Sequence, residues 1–314
     1  MSPAGAGVAL ATVTGLTWGG QFVVGKEALG AVDAFNLTNV RYALAAAVLL
    51  ALLAAFEGRR SLGLDGRGLR LFWLGTLGFA GFNLFVYTGL EHAEPQHAAL
   101  IGALGPLLTA FALWHLRGHR PARTTLVLTA VAIVGVALVI SRGDPVSIVE
   151  GSVGWGEALV LAGGVCFVYY MLGAAQFADY SPLRYTALTS ALGWLSIAGL
   201  TAVAVLAGLR PGPSPGAFWS VAPELLYLSL LGAVVAVAAW NGAVAKLGPQ
   251  NAALFTTLIP VTAFAIEIAR GYRPGPLELS GVALTLAALV ASNLLVRRER
   301  RRAPAPDLAA AVAS

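Results

Sequence analysis

Polar and aromatic side chains that could bind a small solute lie inside apolar stretches of this sequence. Trp18 and Gln21 are about one helical turn apart, so one helix face would present an aromatic ring beside an amide. Asn83 and Tyr87 have the i, i+4 spacing that places two side chains on one stripe. Polar groups at such depth are costly and tend to be kept for a reason. We predict a solute site that uses Trp18, Gln21, Asn83, Tyr87, Tyr169, Trp240 and Asn241.

The candidates in the second half of the chain lie in two pairs of adjacent residues. Tyr169 is followed by Tyr170, and Trp240 is followed by Asn241. Neighbouring residues of a helix point in different directions, so one tyrosine faces the interior when the other faces outward. We predict that Tyr169 is the inward one. Packing of the aromatic rings and hydrogen bonds between helices are the alternative roles for the whole set.

Glutamines and prolines at corresponding places could form gates or hinges. Gln96 and Gln250 each follow a proline at the start of a helix, where free N–H groups favour an anionic group such as a carboxylate. Pro106 and Pro260 each remove one helical hydrogen bond inside an apolar span, which suits a kink. Helix packing alone is the alternative explanation for the prolines.

Two charged side chains inside the apolar stretches have two possible roles each. Arg41 could anchor a substrate carboxylate, or it could be a fixed charge that orients its helix. Glu267 could be a proton-coupling group, or it could be an interfacial acid paired with Arg270 one turn away. Both alternatives stay open, so we keep Arg41 and Glu267 as candidates for anchoring and coupling.

Residues 91–97 combine acids with histidines and could suggest a metal site. Pro95 interrupts this segment, and His92 and His97 lack the i, i+4 spacing of a helical metal site, so we predict a solvated outer loop and no metal. The sequence has no HExxH, GxSxG or Walker motif, and Cys166 is its single cysteine. We therefore expect neither an enzyme nor a cofactor.

Long apolar stretches must position these residues. Hydrophobic residues make up 58% of the 314-residue chain and charged residues 11%, against roughly 25% charged residues in a soluble domain. Apolar runs of about 20 residues, the length that crosses a bilayer, recur from end to end. We therefore predict an all-α membrane protein with ten transmembrane helices. The predicted spans are residues 5–26, 34–56, 70–90, 95–117, 122–142, 152–175, 183–207, 222–244, 249–270 and 276–296.

The basic residues predict how the chain crosses the membrane. Lys and Arg favour cytoplasmic loops, and most of them fall on one side if the N-terminus is inside. We expect a multi-pass protein of the inner (plasma) membrane with both termini cytoplasmic, and the net charge of +5 then needs no nucleic acid. The first span lacks a basic segment before it, so we expect it to be retained. Residues 297–314 are basic and then rich in proline and alanine, so we predict that they form a disordered tail near anionic lipid.

The sequence contains an internal repeat. PQHAALIGALGP begins at Pro95 and PQNAALFTTLIP begins at Pro249, and the fourth and ninth spans then end in RGHRP and RGYRP. A weaker match places Arg41 with its following tyrosine opposite Arg184 with its following tyrosine. Matches this regular indicate duplication of one structural unit.

The repeat predicts two five-helix units, residues 1–148 and 149–296. Because five is odd, the second unit enters the membrane from the opposite side and is inverted. Inverted units can exchange shapes and so open a central site to either side in turn. A duplication kept only for packing is the alternative.

At the repeat and at WGGQFVVGK, which begins at Trp18, the chain resembles the EamA-type ten-helix branch of the drug/metabolite transporter superfamily. The likeness covers nearly the whole chain, including the Arg-aromatic pair at Arg41 and the mid-helix Pro106 and Pro260. It implies a carrier that works without ATP, most often an exporter of amino acids or related metabolites. The family's fourth and ninth helices usually end in Leu-Gly-Glu, which this sequence lacks, so no role of that Glu carries over.

Two other functional classes are alternatives to a carrier that exports a small amphipathic metabolite by alternating access. A channel would place polar residues along one path, and a lipid-processing protein would cluster acids or histidines at one interface. The expected partners are a small-molecule substrate and the lipid bilayer. The small residues of the helices would also permit a homodimer.

Overall fold

A computed structural model describes residues 2–118, 120–142, 154–248, 251–252 and 254–302 of the chain. Within those ranges the protein consists of helices and connecting turns, without a β-strand. The helices are α1 Pro3–Ala28, α2 Ala34–Glu57, α3 Gly68–His92, α4 Pro95–Gly102, α5 Gly105–Arg117, α6 Arg123–Ile140, α7 Trp155–Gly173, α8 Pro182–Leu206, α9 Pro215–Ser220, α10 Ala222–Leu247, α11 Leu258–Ala269 and α12 Pro276–Arg302.

The described helices confirm a multi-pass membrane protein. Seven of them are long and apolar enough to cross a bilayer, and α4 and α5, which meet at an angle of 46°, bring the number to eight if the pair counts as one span. The ninth and tenth predicted spans correspond to the shorter apolar helices Leu254–Ala269 and Pro276–Ser292. The last helix continues through the basic run to Arg302, beyond the predicted end at residue 296, because arginine is a good helix former.

Short turns bounded by capping groups separate the helices. The Asp33 side chain accepts hydrogen bonds from the backbone N–H groups of Phe35 and Asn36 at the start of α2. Lys26, in the last turn of α1, donates to the carbonyls of Leu90, Glu91 and Ala93 at the end of α3. The Lys26 contacts tie the end of α1 to the end of α3.

Glycines allow the helices to approach closely. A Cβ atom at Gly281 of α12 would lie 2.5 Å from the Gly135 carbonyl of α6, and one at Gly156 of α7 would lie 2.5 Å from the Gly89 carbonyl of α3. Other extensive helix contacts join α1 to α10 and α11, and α8 to α2 and α3. Every one of these pairs joins a helix of residues 1–148 to a helix of residues 149–296.

Two helices contain π-helical segments: Thr76–Gly81 in α3 and Tyr227–Val235 in α10. A π-helical segment widens the helix and redirects its carbonyl groups, and such segments are frequent at functional sites. Both segments lie in the middle of an apolar span, beside the side chains described next.

Candidate functional site

Arg41 occupies the centre of the candidate site. It lies in the third turn of α2, and only 2% of its surface is exposed. Nη1 donates to Asn83 Oδ1 at 3.1 Å and to the Tyr87 hydroxyl at 2.7 Å, and Nη2 donates to Gln21 Oε1 at 3.2 Å. We call Arg41, Gln21, Asn83 and Tyr87 the Arg41 cluster. The structure thus brings three predicted binding residues onto the predicted anchor.

The Arg41 cluster holds its positive charge without an acidic partner among the described residues. The guanidinium lies 5.1 Å from the ring centroids of both Tyr42 and Tyr87, a cation–π distance. Hydrogen bonds to neutral oxygens and two aromatic faces lower the cost of burying the cation, but they leave its charge unbalanced. The chemical consequence is a site suited to an anionic group.

The π-helical segment of α10 forms one wall of this site. Its Leu228 carbonyl accepts from Arg41 Nε at 3.1 Å, and its Gly232 carbonyl accepts from Trp18 Nε1 at 3.1 Å. A Cβ atom at Gly232 would come within 2.9 Å of Gln21 Oε1, so a glycine is what leaves room for the amide. Backbone carbonyls of the second half therefore orient side chains of the first half.

The remaining predicted binding residues are spread around this centre. Trp18 and Trp240 contact each other with ring centroids 5.7 Å apart, and both are partly exposed. Asn241 is the half-buried residue after Trp240. Together with the Arg41 cluster, Trp18 and Trp240 give an aromatic surface next to a cation.

The structure corrects the choice between the two tyrosines of α7. Tyr170 is the buried one; it stacks on Tyr185 with centroids 5.2 Å apart, and its hydroxyl lies 3.4 Å from Thr189 Oγ1. Tyr169 is only partly buried and contacts the ring of His115. The sequence pattern did not reveal this, because both orientations are compatible with an apolar helix.

The predicted hinge prolines lie at helix beginnings. Pro106 is the second residue of α5, directly after the 46° bend, and the buried Pro260 is the third residue of α11. A proline in the first turn of an α-helix costs no helical hydrogen bond, so neither proline frees a carbonyl group in the middle of a regular α-helix. Gln250 lies outside the described residues. Gln96 is completely buried, and neither polar atom of its amide has a hydrogen-bond partner in the described part of the chain.

At one end of the helix bundle, the Arg184 end, arginines stack on aromatic rings and pair with aspartates. Arg67 pairs with Asp179 at 2.6 Å, and Arg184 pairs with Asp65 at 2.8 Å and lies 3.9 Å from the Tyr180 ring centroid. The hydrogen bond from Arg67 lowers the pKa of Asp179 below its ordinary value. Arg184 lies at the very start of α8, unlike the buried Arg41, so the weak sequence match between them does not extend to their surroundings.

The opposite end, the His97 end, contains a cluster that the sequence did not indicate. His97 is 4% exposed; its Nδ1 lies 3.1 Å from Glu157 Oε1, and its Nε2 lies 3.8 Å from Glu278 Oε1. Glu278 also accepts from the Tyr272 hydroxyl at 2.7 Å. Burial, and then the hydrogen bond to Glu278, raises the pKa of Tyr272 to about 12, so this hydroxyl keeps its proton.

The expectation of a solvated loop at residues 91–97 is confirmed for the exposed His92 and Glu94 and is wrong for Glu91 and His97. Glu91 accepts two hydrogen bonds from Arg210, and His97 is buried between α7 and α12. No group of three metal-ligating side chains with suitable geometry occurs among the described residues. Glu267 lies 3.9 Å from Arg270, which also pairs with Glu27, as expected of a paired interfacial acid.

Comparisons with known proteins place the chain among membrane transporters. Its residues 5–141 and 154–294 each match the model of the EamA-like transporter family. The uncharacterized transporter YrdR of Bacillus subtilis is 26% identical over 91% of both chains. A probable terminal-alkyne amino-acid exporter of Streptantibioticus cattleyicolor is 24% identical over 94% of this chain and 95% of its own. One crystal structure shares the fold, with a TM-score of 0.62, 22% identity and coverage of 94% of this chain and 98% of the other.

Proposed function

Since the chain belongs to the EamA-like transporter family, we propose that it is a secondary carrier that exports a small carboxylate-bearing metabolite, an amino acid or a related amphipathic compound, across the inner membrane. The observation that supports this substrate class is Arg41, a buried guanidinium whose bonded partners are neutral. A carboxylate would balance its charge and could take up two of its N–H groups.

The surroundings of Arg41 fit an amphipathic solute. Trp18 and Trp240 would face the apolar part of the substrate, while Gln21 and Asn83 would compete with the carboxylate for the guanidinium. The neutral bonds to Gln21 and Asn83 can be exchanged for bonds to a substrate at small net cost. Such an exchange would let the empty site remain hydrogen-bonded.

The transport cycle that we propose is alternating access between two ends of a ten-helix bundle. In this proposal residues 1–148 and 149–296 are inverted five-helix repeats, with the Arg184 end in the cytoplasm and the His97 end outside. Packing supports the arrangement: α1 contacts α10 as α3 contacts α7, and the π-helical segments occur in α3 and α10. Under the proposed repeat, α1 corresponds to α7 and α10 corresponds to α3, so the two contacts are equivalent in the two halves.

Counterflow in proteoliposomes tests the proposal. Purified protein is reconstituted and assayed with a panel of radiolabelled amino acids, in parallel with Arg41→Gln, Arg41→Lys and the exposed control Arg60→Gln. We expect the wild type and Arg60→Gln to exchange at least one panel member. Loss of the buried charge should weaken exchange by roughly 30-fold or more, the effect of removing one partner from a buried charge pair.

Stability measurements separate a binding defect from misfolding. Because Arg41→Gln removes an unbalanced buried charge, its melting temperature in detergent should be no lower than that of the wild type. No exchange of any amino acid by the wild type, or undiminished exchange by Arg41→Gln, would refute the substrate class.

A further inference from the structure

His97, Glu157 and Glu278 bring one base and two acids into a site with little access to water. We call these three residues the His97 cluster. Their side chains are 4%, 8% and 2% exposed, and they come from α4, α7 and α12. In so dry a place two carboxylates cannot both stay ionised at low cost unless a positive charge accompanies them.

We propose that the His97 cluster is a proton-binding site that locks the His97 end of the carrier in its closed state. The inference rests on the proposed carrier function, because it assigns one of the two gates. With a proton on both ring nitrogens, His97 is a cation between Glu157 and Glu278. Without the second proton, a neutral ring separates two buried acids, and the charge that joins α4 to α7 and α12 is lost.

The geometry supports a bound proton. His97 Nδ1 lies within hydrogen-bond distance of Glu157 Oε1, at 3.1 Å. Nε2 has no hydrogen-bond partner in the described part of the protein and lies 3.8 Å from Glu278 Oε1. A small approach of Glu278 would complete the second bond of a protonated ring. The neighbouring Gln96 is fully buried, and neither polar atom of its amide has a hydrogen-bond partner in the described part of the protein. This part of α4 therefore has donors and acceptors that the present hydrogen bonds do not use.

Other charged groups around α4 are paired among themselves and do not balance the His97 cluster. From α1, Lys26 donates to three carbonyls and Glu27 pairs with Arg270, which also faces Glu267 of α11. The remaining pairs are Glu91 of α3 with Arg210, and Glu94 at the start of α4 with Arg142 beyond α6. Arg142 also lies 5.6 Å from the ring centroid of Tyr272, the neutral donor to Glu278.

The position of the His97 cluster makes it a lock. His97 belongs to the first matched segment, residues 5–141, and both acids belong to the second, residues 154–294. Opening this end requires α4 to separate from α7 and α12, because the His97 side chain of α4 contacts Glu157 of α7 and Glu278 of α12. A proton that holds these helices together therefore opposes opening, and its release promotes opening.

Hydrogen exchange detected by mass spectrometry tests the lock without any substrate. The full-length protein in lipid nanodiscs is compared at pH 5.5 and pH 8, after correction for intrinsic exchange. We expect Pro95–Gly102 and the first turns of α7 and α12 to exchange at least about tenfold faster at pH 8 in the wild type. Peptides of the Arg184 end serve as an internal control, because the hydrogen bond from Arg67 lowers the pKa of Asp179 from an ordinary value that already lies below pH 5.5.

Two variants identify the residues that bind the proton. In His97→Gln, the pH-dependent exchange should fall to less than about twofold. Glu278→Gln preserves the shape of the side chain and removes one buried negative charge, so it should stay protected at both pH values. Glu267→Gln, at the paired acid, should behave as the wild type. A wild type without pH dependence, or a His97→Gln variant that keeps it, would overturn the proposal.

The counterflow assay keeps this inference separate from the proposed function. If pH-dependent exchange requires His97 while no amino acid is transported, the proton lock stands and the substrate class fails. If amino acids are transported while the His97 end ignores pH, the carrier function stands and the lock fails.

Discussion

A buried guanidinium held by neutral oxygens is the main residue-scale feature of this protein. Asn83, Tyr87 and Gln21 accept hydrogen bonds from Arg41 and replace the water that would otherwise solvate the guanidinium. They do not neutralise it. In the proposed function, a bound carboxylate balances this charge.

Tyr87→Phe tests how the hydroxyl positions Arg41. The substitution removes the 2.7 Å hydrogen bond but keeps the ring under the guanidinium. We expect KM for a transported amino acid to rise about threefold to tenfold, since one hydrogen bond to a charged group contributes about 1 kcal/mol or somewhat more. Tyr169→Phe, outside the Arg41 cluster, is the matched control. Equal KM values for both variants would argue against the positioning role.

Residue spacing predicted part of the site. It selected Gln21, Asn83 and Tyr87 as candidates, and the structure brings them together on Arg41. Residue spacing could not predict the buried His97 cluster, because Glu157 and Glu278 belong to helices that are distant from His97 in the sequence. A contact between distant helices leaves no local pattern to detect.

At the scale of elements, irregular helices and glycines position these side chains. The carbonyls that hold Arg41 and Trp18 belong to a π-helical segment, and no composition rule distinguishes that segment from an ordinary apolar helix. Hydropathy predicted apolar helices, but it placed Pro106 and Pro260 in the interior of continuous spans, whereas each lies in the first turn of an α-helix. A bend between α4 and α5 and a 3₁₀ turn before α11 interrupt spans that the hydropathy pattern predicts to be continuous helices.

The Gly281–Gly135 contact predicts a loss of stability in Gly281→Ala. The added methyl group would meet the Gly135 carbonyl at 2.5 Å, and backbone cannot yield as a flexible side chain does. We expect the free energy of unfolding in mixed micelles to fall by about 1–3 kcal/mol. Gly199→Ala is the matched control, since its methyl group would meet nothing within 4 Å and should stabilise α8 by up to about 1 kcal/mol. Equal destabilisation of both variants would contradict the packing argument.

On the scale of the whole molecule, every extensive helix contact described above joins the two halves of the chain. α6 packs on α12, α3 on α7, α1 on α10, and α2 on α8. The internal sequence repeat predicted two units but not that their main contacts would be with each other. Relative movement of the halves must therefore change many of these contacts together.

Single cysteines test the proposed orientation of the molecule. On a Cys166→Ala background, Ala122→Cys should be cytoplasmic and Gly212→Cys should face outward. Both positions are exposed. A membrane-impermeant maleimide applied to intact cells should label Gly212→Cys alone, and permeabilisation should make Ala122→Cys reactive. The reverse pattern would invert the topology, and labelling of both sites in intact cells would exclude it.

In the proposed alternating-access cycle, the unbalanced charge of Arg41 would make the empty site sensitive to the membrane potential. One elementary charge that crosses the whole field gains about 2.3 kcal/mol per 100 mV, and a site that changes its access crosses part of it. An inside-negative voltage would therefore draw the unloaded site toward cytoplasmic access. A substrate with a net negative charge would cancel this charge and remove that bias, whereas a zwitterionic amino acid would bring its own ammonium group and leave the bias in place. For a net-anionic substrate, a voltage-assisted return of the empty site would then follow from a single arginine.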